Sequence, residues 1–167
     1  MIRIAILTTG GTIEKRYDET TGHLRNVGSV LQKILEHLRL PDAEVRHVPV
    51  MSKDSLDLTD ADRQIILSAV RFALQAADAV LIIHGTDTLA VTGELLQREL
   101  SDLNKPVIFT GSMRPFEFRD TDAHQNITEA LLACRLCTPG VYVVMHNQVL
   151  KFPGVVKDRD AMTFRRV

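Results

Sequence analysis

The stretch Ala79-Val80-Leu81-Ile82-Ile83-His84-Gly85-Thr86-Asp87-Thr88 decides the fold. Its first five residues are unbroken aliphatics, the pattern of a strand covered on both faces, as in parallel sheets. The next five are mostly short and polar, and Leu89 then opens a helical pattern. An apolar strand that runs through a glycine turn into a helix is one βα unit of an open α/β sheet. Ligands of such sheets bind at the carboxyl ends of the strands.

The same pattern recurs outward from this unit. Four further apolar runs read as strands: Arg3 to Leu7, Glu44 to Val50, Val107 to Thr110 and Gly140 to Met145. Four helical segments lie between them. Ser29, with Gln32 three residues on, has the form of a capping box before Val30, Leu31, Ile34, Leu35 and Leu38. Thr59 is placed to cap the second helix, whose apolar residues from Ile65 to Ala77 follow at helical spacing. The third runs from about Leu89 to Leu100. The fourth begins near Asp122 and carries Ile127, Ala130, Leu131 and Cys134. Strand–helix alternation with short links predicts an α/β fold: one domain, three layers, a doubly wound and mostly parallel sheet, flavodoxin-like. The segment from Lys15 to Val27 lacks apolar periodicity and reads as a mobile loop, a candidate lid. Lys151 to Val167 is open between loop, short strand and frayed tail.

Composition sets the outer limits. The 167 residues suit a single core, and 45% hydrophobic with 25% charged residues is ordinary for a globular protein. Twenty basic against 21 acidic residues leave a formal net charge of -1, so no basic stripe argues for nucleic acid. The apolar run at the start, Met1 to Leu7, is too short for a signal peptide or a membrane span. A cytoplasmic protein without membrane contact is the expectation. Cys134 and Cys137 fall late in the fourth helix rather than at a helix start, which favours reduced thiols packed in a core over a redox motif. Two cysteines alone are also too few for a structural zinc site, and no metal is expected.

Three loops at strand ends carry chemistry. Thr8-Thr9-Gly10-Gly11-Thr12 follows the first strand, and its glycines let the backbone approach a ligand closely. Its amides are candidates to face a developing oxyanion, while an ordinary βα turn explains the same residues equally well. A dinucleotide fingerprint lacks its third glycine here, and no Gly-Lys-Ser/Thr follows as in a phosphate loop. In His84-Gly85-Thr86-Asp87-Thr88 a carboxylate lies next to a hydroxyl, and capping of the third helix is the competing role. Met51 to Thr59 offers hydroxyls and carboxylates at another strand end, again with a solvated loop as the plain alternative. A hydroxyl becomes a nucleophile only when a base or a charge activates it. Lys157 is a candidate base, since a lysine beside a threonine serves as one when burial lowers its pKa. Taken by itself it reads as a solvated surface lysine.

These segments together resemble the bacterial-type L-asparaginase/glutaminase family. The matching residues are Thr9-Gly10-Gly11-Thr12-Ile13, Asp54-Ser55-Leu56-Asp57-Leu58-Thr59, His84-Gly85-Thr86-Asp87-Thr88 and Thr110-Gly111-Ser112-Met113-Arg114-Pro115. Asp122, Ala123 and Asn126 follow, then the spacing from Val149-Leu150 to Lys157. The resemblance implies an amidohydrolase that converts L-asparagine to L-aspartate and ammonia, with weaker glutaminase activity and no cofactor. It implies Thr12 as the nucleophile that forms an acyl-enzyme, supported by Tyr17. Thr86 would be the second catalytic threonine, paired with Lys157 and Asp87. Substrate contacts would fall to Gly11, Asp54, Ser55 and Leu56, with Ser55 at the α-carboxylate and Asp87 also at the α-ammonium.

Family members are about twice as long and carry a smaller C-terminal domain that donates an acid to the ammonium site. This sequence resembles the short branch that consists of the N-terminal domain alone. Glu14, or a carboxylate from a partner chain, is the candidate replacement. Leu56 stands where many members have a polar residue. A homodimer or homotetramer is expected, since a domain without its covering domain exposes apolar surface. Two other readings remain beside the hydrolase: a non-catalytic amino-acid-binding module, and a glutaminase-like component of a tRNA amidotransferase.

Overall fold

The computed structural model describes residues 1–167. Strand β1 (Ile2–Gly10) leads through a 3-10 turn at Thr12–Glu14 into a hairpin of β2 (Lys15–Asp18) and β3 (His23–Asn26). Then come α1 (Leu31–Leu35), β4 (Ala43–Lys53), α2 (Asp60–Ala76), β5 (Ala79–Ile83), α3 (Leu89–Glu99) and β6 (Pro106–Thr110). The chain continues with α4 (Ala123–Leu136), β7 (Gly140–Met145), β8 (Gln148–Lys151), β9 (Val155–Asp158) and β10 (Thr163–Arg166).

The main sheet has the order β4-β1-β5-β6-β7-β8. Its first five strands are parallel, and only β8 runs antiparallel, hairpinned to β7. Counted along the chain, the parallel strands stand in the order 2-1-3-4-5, which is the flavodoxin-like winding. Helices α2 and α3 cover one face through Ile66, Leu67, Val70, Leu89 and Leu96. Helices α1 and α4 cover the other through Leu31, Ile34, Ile127, Ala130 and Leu131. All residues of β5, β6 and β7 are buried, which explains why their sequences read as continuous apolar runs. The cysteines are unpaired: Cys134 is buried and burial pushes its thiol up to about 12, while Cys137 is half-buried.

Local signals succeed and fail for identifiable reasons. Thr59 caps α2 in a full box, its side chain accepting from the Asp62 amide while Asp62 accepts from the Thr59 amide. The expected box at Ser29 does not form. Helix α1 starts only at Leu31, so the Ser29 hydroxyl accepts from the Leu31 amide at 3.1 Å, and Gln32 reaches forward to Glu36. The segment read as an irregular loop contains an antiparallel hairpin in which Tyr17 pairs with Leu24. At the carboxyl end of the chain β9 and β10 form a second hairpin, which resolves the open reading of that segment in favour of strands. Phe152 and Phe164 pin it to the core shared with α2 and α3.

Candidate active site

The winding direction reverses between β1 and β5, and the crevice at that switch point lies beyond the carboxyl ends of both strands. The Thr12 and Thr86 loops therefore meet there. The closeness of approach is visible at two glycines. A Cβ on Gly11, whose φ is 86°, would lie 2.5 Å from the Gly85 Cα. One on Gly85 would lie 2.6 Å from the Ser55 Cβ. Only hydrogen side chains let the three loops after β1, β4 and β5 stack in contact.

Cross-links hold the stack. The Thr9 hydroxyl donates to the Ile83 carbonyl at 2.9 Å, tying β1 to the end of β5. The Thr88 hydroxyl donates to the Ser55 carbonyl at 2.7 Å, so Thr88 ties two loops together and its side chain does not cap α3. Ser55 is buried, with its hydroxyl 3.4 Å from the Thr88 amide. The Asn26 side chain donates to the Gly11 carbonyl at 2.8 Å and anchors the β2–β3 hairpin beside the Thr12 turn.

Lys157 sits on β9, and the tertiary fold brings it to the switch point. Its Nζ donates to Thr86 Oγ1 at 2.8 Å and to Asp87 Oδ1 at 3.0 Å. Only 13% of its side chain is exposed, against the surface position that its local sequence suggested. A threonine, a lysine and an aspartate are thus hydrogen-bonded in one cluster. Thr12 is partly exposed one residue beyond Gly11, and its hydroxyl has no hydrogen-bond partner within the chain.

The remaining candidates are placed less centrally. Asp54 accepts from the Leu56 amide and forms a close ion pair with Lys15. Leu56 is 66% exposed. Tyr17 is 58% exposed on the hairpin and makes no hydrogen bond to Thr12. Glu14 is buried and neither carboxylate oxygen has a well-formed hydrogen-bond partner. Burial pushes its carboxyl above the usual range, with the nearby Ser29 hydroxyl only moderating the effect.

Two contributors, Arg159 and His146, were not singled out by reading the sequence. Arg159 reaches the same Asp87 Oδ1 at 3.1 Å. Its only sequence signal was its place two residues after Lys157. His146 joins Asp122 (2.7 Å) to Thr163 (2.9 Å), fastening β10 to the start of α4. Burial works against the Asp122 charge, but the Met113 amide, His146 and the Arg114 amide together hold its pKa below the usual range. Asn126 donates to the Gly111 carbonyl at 2.9 Å and completes this brace.

His84 closes β5 and is fully buried. Its Nδ1 lies 2.8 Å from the Gly85 carbonyl, so it must donate there, which leaves Nε2 to accept from the Thr92 hydroxyl at 2.9 Å. Burial lowers its pKa from 6.5 to about 4, the Gly85 carbonyl opposing in part. The unfolded chain therefore takes up a proton below pH 6.5 that the folded chain refuses until about pH 4. The stability this group provides is full above pH 6.5, declines as the pH falls and is gone below about pH 4. The expected loss is about 3 kcal/mol. Glu14 acts in the opposite direction, so the comparison is with a His84→Gln variant. Urea melts at pH 7.5 and pH 5 should show a smaller difference in the variant than in the parent. Equal differences would contradict the assignment.

Known proteins share this framework. The family model described as "Asparaginase, N-terminal" matches residues 3–162. The L-asparaginase of Thermococcus kodakarensis is 30% identical over 149 residues, which cover 89% of this chain and 45% of that protein. L-asparaginase 1 of Escherichia coli K12 is 34% identical over 134 residues, 77% of this chain and 39% of that one. A component of the glutamyl-tRNA(Gln) amidotransferase of Thermoplasma acidophilum is 32% identical over 129 residues, 77% of this chain and 32% of that one. The solved structure of the thermostable T. kodakarensis enzyme superposes with a TM-score of 0.89 at 28% identity, covering 99% of this chain and 51% of that one. The chain thus spans about half the length, or less, of the relatives it matches. By the model match across nearly its whole length, it belongs to the asparaginase family, as a counterpart of the N-terminal domain.

Proposed function

We propose that this protein is an amidohydrolase that cleaves the side-chain amide of a small amino-acid-like substrate through a threonine acyl-enzyme. L-asparagine, giving L-aspartate and ammonia, is the reference substrate, with glutamine a weaker one. The observation that carries this reading is the Lys157–Thr86–Asp87 cluster, with Lys157 Nζ 2.8 Å from Thr86 Oγ1, set beside the glycine-backed Thr12 turn. A pure binding module needs neither a lysine on a threonine hydroxyl nor a second hydroxyl with no partner.

In this mechanism Thr12 Oγ attacks the amide carbon, and amides of the Gly11 and Thr86 turns stabilise the oxyanion. The Thr12 hydroxyl proton passes to the amide nitrogen, which leaves as ammonia when the tetrahedral species collapses to an ester on Thr12. Thr86, with Lys157 and Asp87, orients the water that hydrolyses this ester, and one proton of that water passes to Thr12 Oγ as the acid product leaves. Asp54, Ser55 and Leu56 border the substrate, with the buried Ser55 hydroxyl toward its carboxylate. Tyr17, on the hairpin beside the turn, supports Thr12, and Glu14 backs the Thr12 turn. Ammonia release by the purified protein on L-asparagine, L-glutamine and related amides tests the reading. Binding of these compounds without any turnover would replace it with the non-catalytic module.

The protein is read as cytoplasmic and self-associating. No helix is long and apolar enough to cross a membrane. Strand β4 is an open sheet edge. The Ile2 amide donates to the Asp42 carbonyl, so by alternation Ala43, Val45 and His47 turn their backbone groups outward until Pro49, which lacks a donor. An antiparallel copy centred on Val45 sets Glu44 opposite Arg46 in both directions. Phe72, 66% exposed on α2, borders an apolar groove of about 500 Å³ at the same edge. Light scattering should report a dimer, and a monomer at every concentration would contradict this arrangement.

A further inference from the structure

Arg63 is a cation in a costly place. It stands in the first turn of α2, at the positive end of the helix dipole, and only 9% of its side chain is exposed. Its one acidic partner, Asp60, lies 3.5 Å away and is fully exposed. Its Nε has no partner in the chain. The other acids of this segment are engaged or open to solvent: Asp62 pairs with Lys53 at 2.8 Å, Asp54 pairs with Lys15, and Asp57 is exposed. The guanidinium charge is therefore buried without a buried counterpart, where solvent screens it poorly.

What the guanidinium does hold is the turn of Ser55. Its Nη1 donates to the Leu58 carbonyl at 3.0 Å. Leu58 closes the 3-10 turn Ser55–Asp57, and its amide donates to the Ser55 carbonyl at 3.3 Å. The charge is felt at the end of β5 as well. It helps keep the buried His84 neutral, one residue before the Gly85 that packs on Ser55. The Ser55 hydroxyl accepts from the Thr88 amide at 3.4 Å, and its own proton has no acceptor in the chain. A free donor thus sits on a turn that a buried cation braces.

We propose that Arg63 is the fixed counter-charge of the carboxylate subsite: from inside the Ser55 turn it selects ligands that set a carboxylate on the Ser55 hydroxyl. This rests on the amidohydrolase reading and adds a specificity determinant to it. Arg63 is a positioning residue, since it is buried and touches no ligand. It acts through the turn it braces and through the charge it holds there. A ligand carboxylate is the partner that the buried cation lacks, whereas a carboxamide of the same shape gains nothing from the charge. The acyl step at Thr12 is left alone.

Two measurements on the whole chain keep this inference separable from the chemistry. The first is steady-state turnover of L-asparagine and of L-asparaginamide, in which a carboxamide replaces the α-carboxylate. Arg63→Gln should raise KM for asparagine by ~10-fold, hold kcat within ~2-fold and leave KM for asparaginamide unchanged. The second is calorimetric binding of L-aspartate against L-isoasparagine, its α-amide, which needs no turnover. Aspartate should lose ~10-fold in affinity in Arg63→Gln and isoasparagine should not. Arg63→Lys, which keeps the charge without the planar fork, should retain most of the aspartate affinity. Arg63→Met gives the same comparison if the glutamine variant does not fold. Equal weakening of both ligands, or no weakening of either, would overturn the role of Arg63 while the hydrolase stands. If no amide is turned over but aspartate alone weakens, the hydrolase falls and the subsite stands. If the parent binds neither ligand and turns over neither amide, both fall.

Discussion

Thr12→Ala is expected to lower ammonia release by ~10^4-fold or more, to the level left by binding and oxyanion stabilisation alone. The reason is geometric. Thr12 follows the Gly11–Gly85 contact at the switch point, and no other group of the chain engages its hydroxyl. The substitution removes an unbonded, partly exposed oxygen, so the fold should be untouched. Lys157→Met should cost ~10^2–10^4-fold, the range of general acid–base contributions. It also leaves Thr86 Oγ1 without its 2.8 Å partner. If Thr86 and Lys157 work on the water, the methionine variant should accumulate acyl-enzyme, whereas Thr12→Ala should form none. Equal residual activity in all variants would point to a nucleophile elsewhere.

Phe109→Ala is the substitution with the largest expected effect on stability, ~3–5 kcal/mol. Phe109 is fully buried at the centre of the sheet face under α2 and α3. Its ring meets His84 edge-on at 5.9 Å and Phe152 at 6.3 Å. His84 leads directly into the Thr86 turn, and Phe152 anchors the hairpin that carries Lys157. The cavity left by alanine therefore lies beneath both halves of the Lys157–Thr86–Asp87 cluster. A urea midpoint measured with the parent's m-value gives the stability loss. Activity per folded molecule should fall as well, because neither Thr86 nor Lys157 keeps its support. A stability change below about 1 kcal/mol would mean that the site relaxes far more than a close-packed interior allows.

The parts of this protein that are legible in sequence are those that are buried on both sides. Strands β5, β6 and β7 announce themselves because every residue must be apolar, and the winding follows from the helices between them. Thr59 is legible because its cap is purely local. The hairpins are not legible. The β2–β3 ribbon is solvated on both faces, so no alternation marks it. Strands β9 and β10 are polar apart from a few anchors such as Phe164. Arg159 escapes notice because its partner, Asp87, is distant in the chain and only the fold joins them. Lys157 is recognisable by resemblance alone, since its burial comes from tertiary packing. The Ser29 box fails because a capping pattern does not fix where the helix starts.

The most direct test of the central claim, amide hydrolysis through an ester on Thr12, is peptide-resolved mass spectrometry of the Lys157→Met variant quenched during turnover of an amide substrate. The account predicts an acyl adduct on the peptide that contains Thr12, absent when Thr12→Ala is added. An adduct on the Thr86 peptide instead, or steady ammonia release by the double variant with no adduct anywhere, would contradict it.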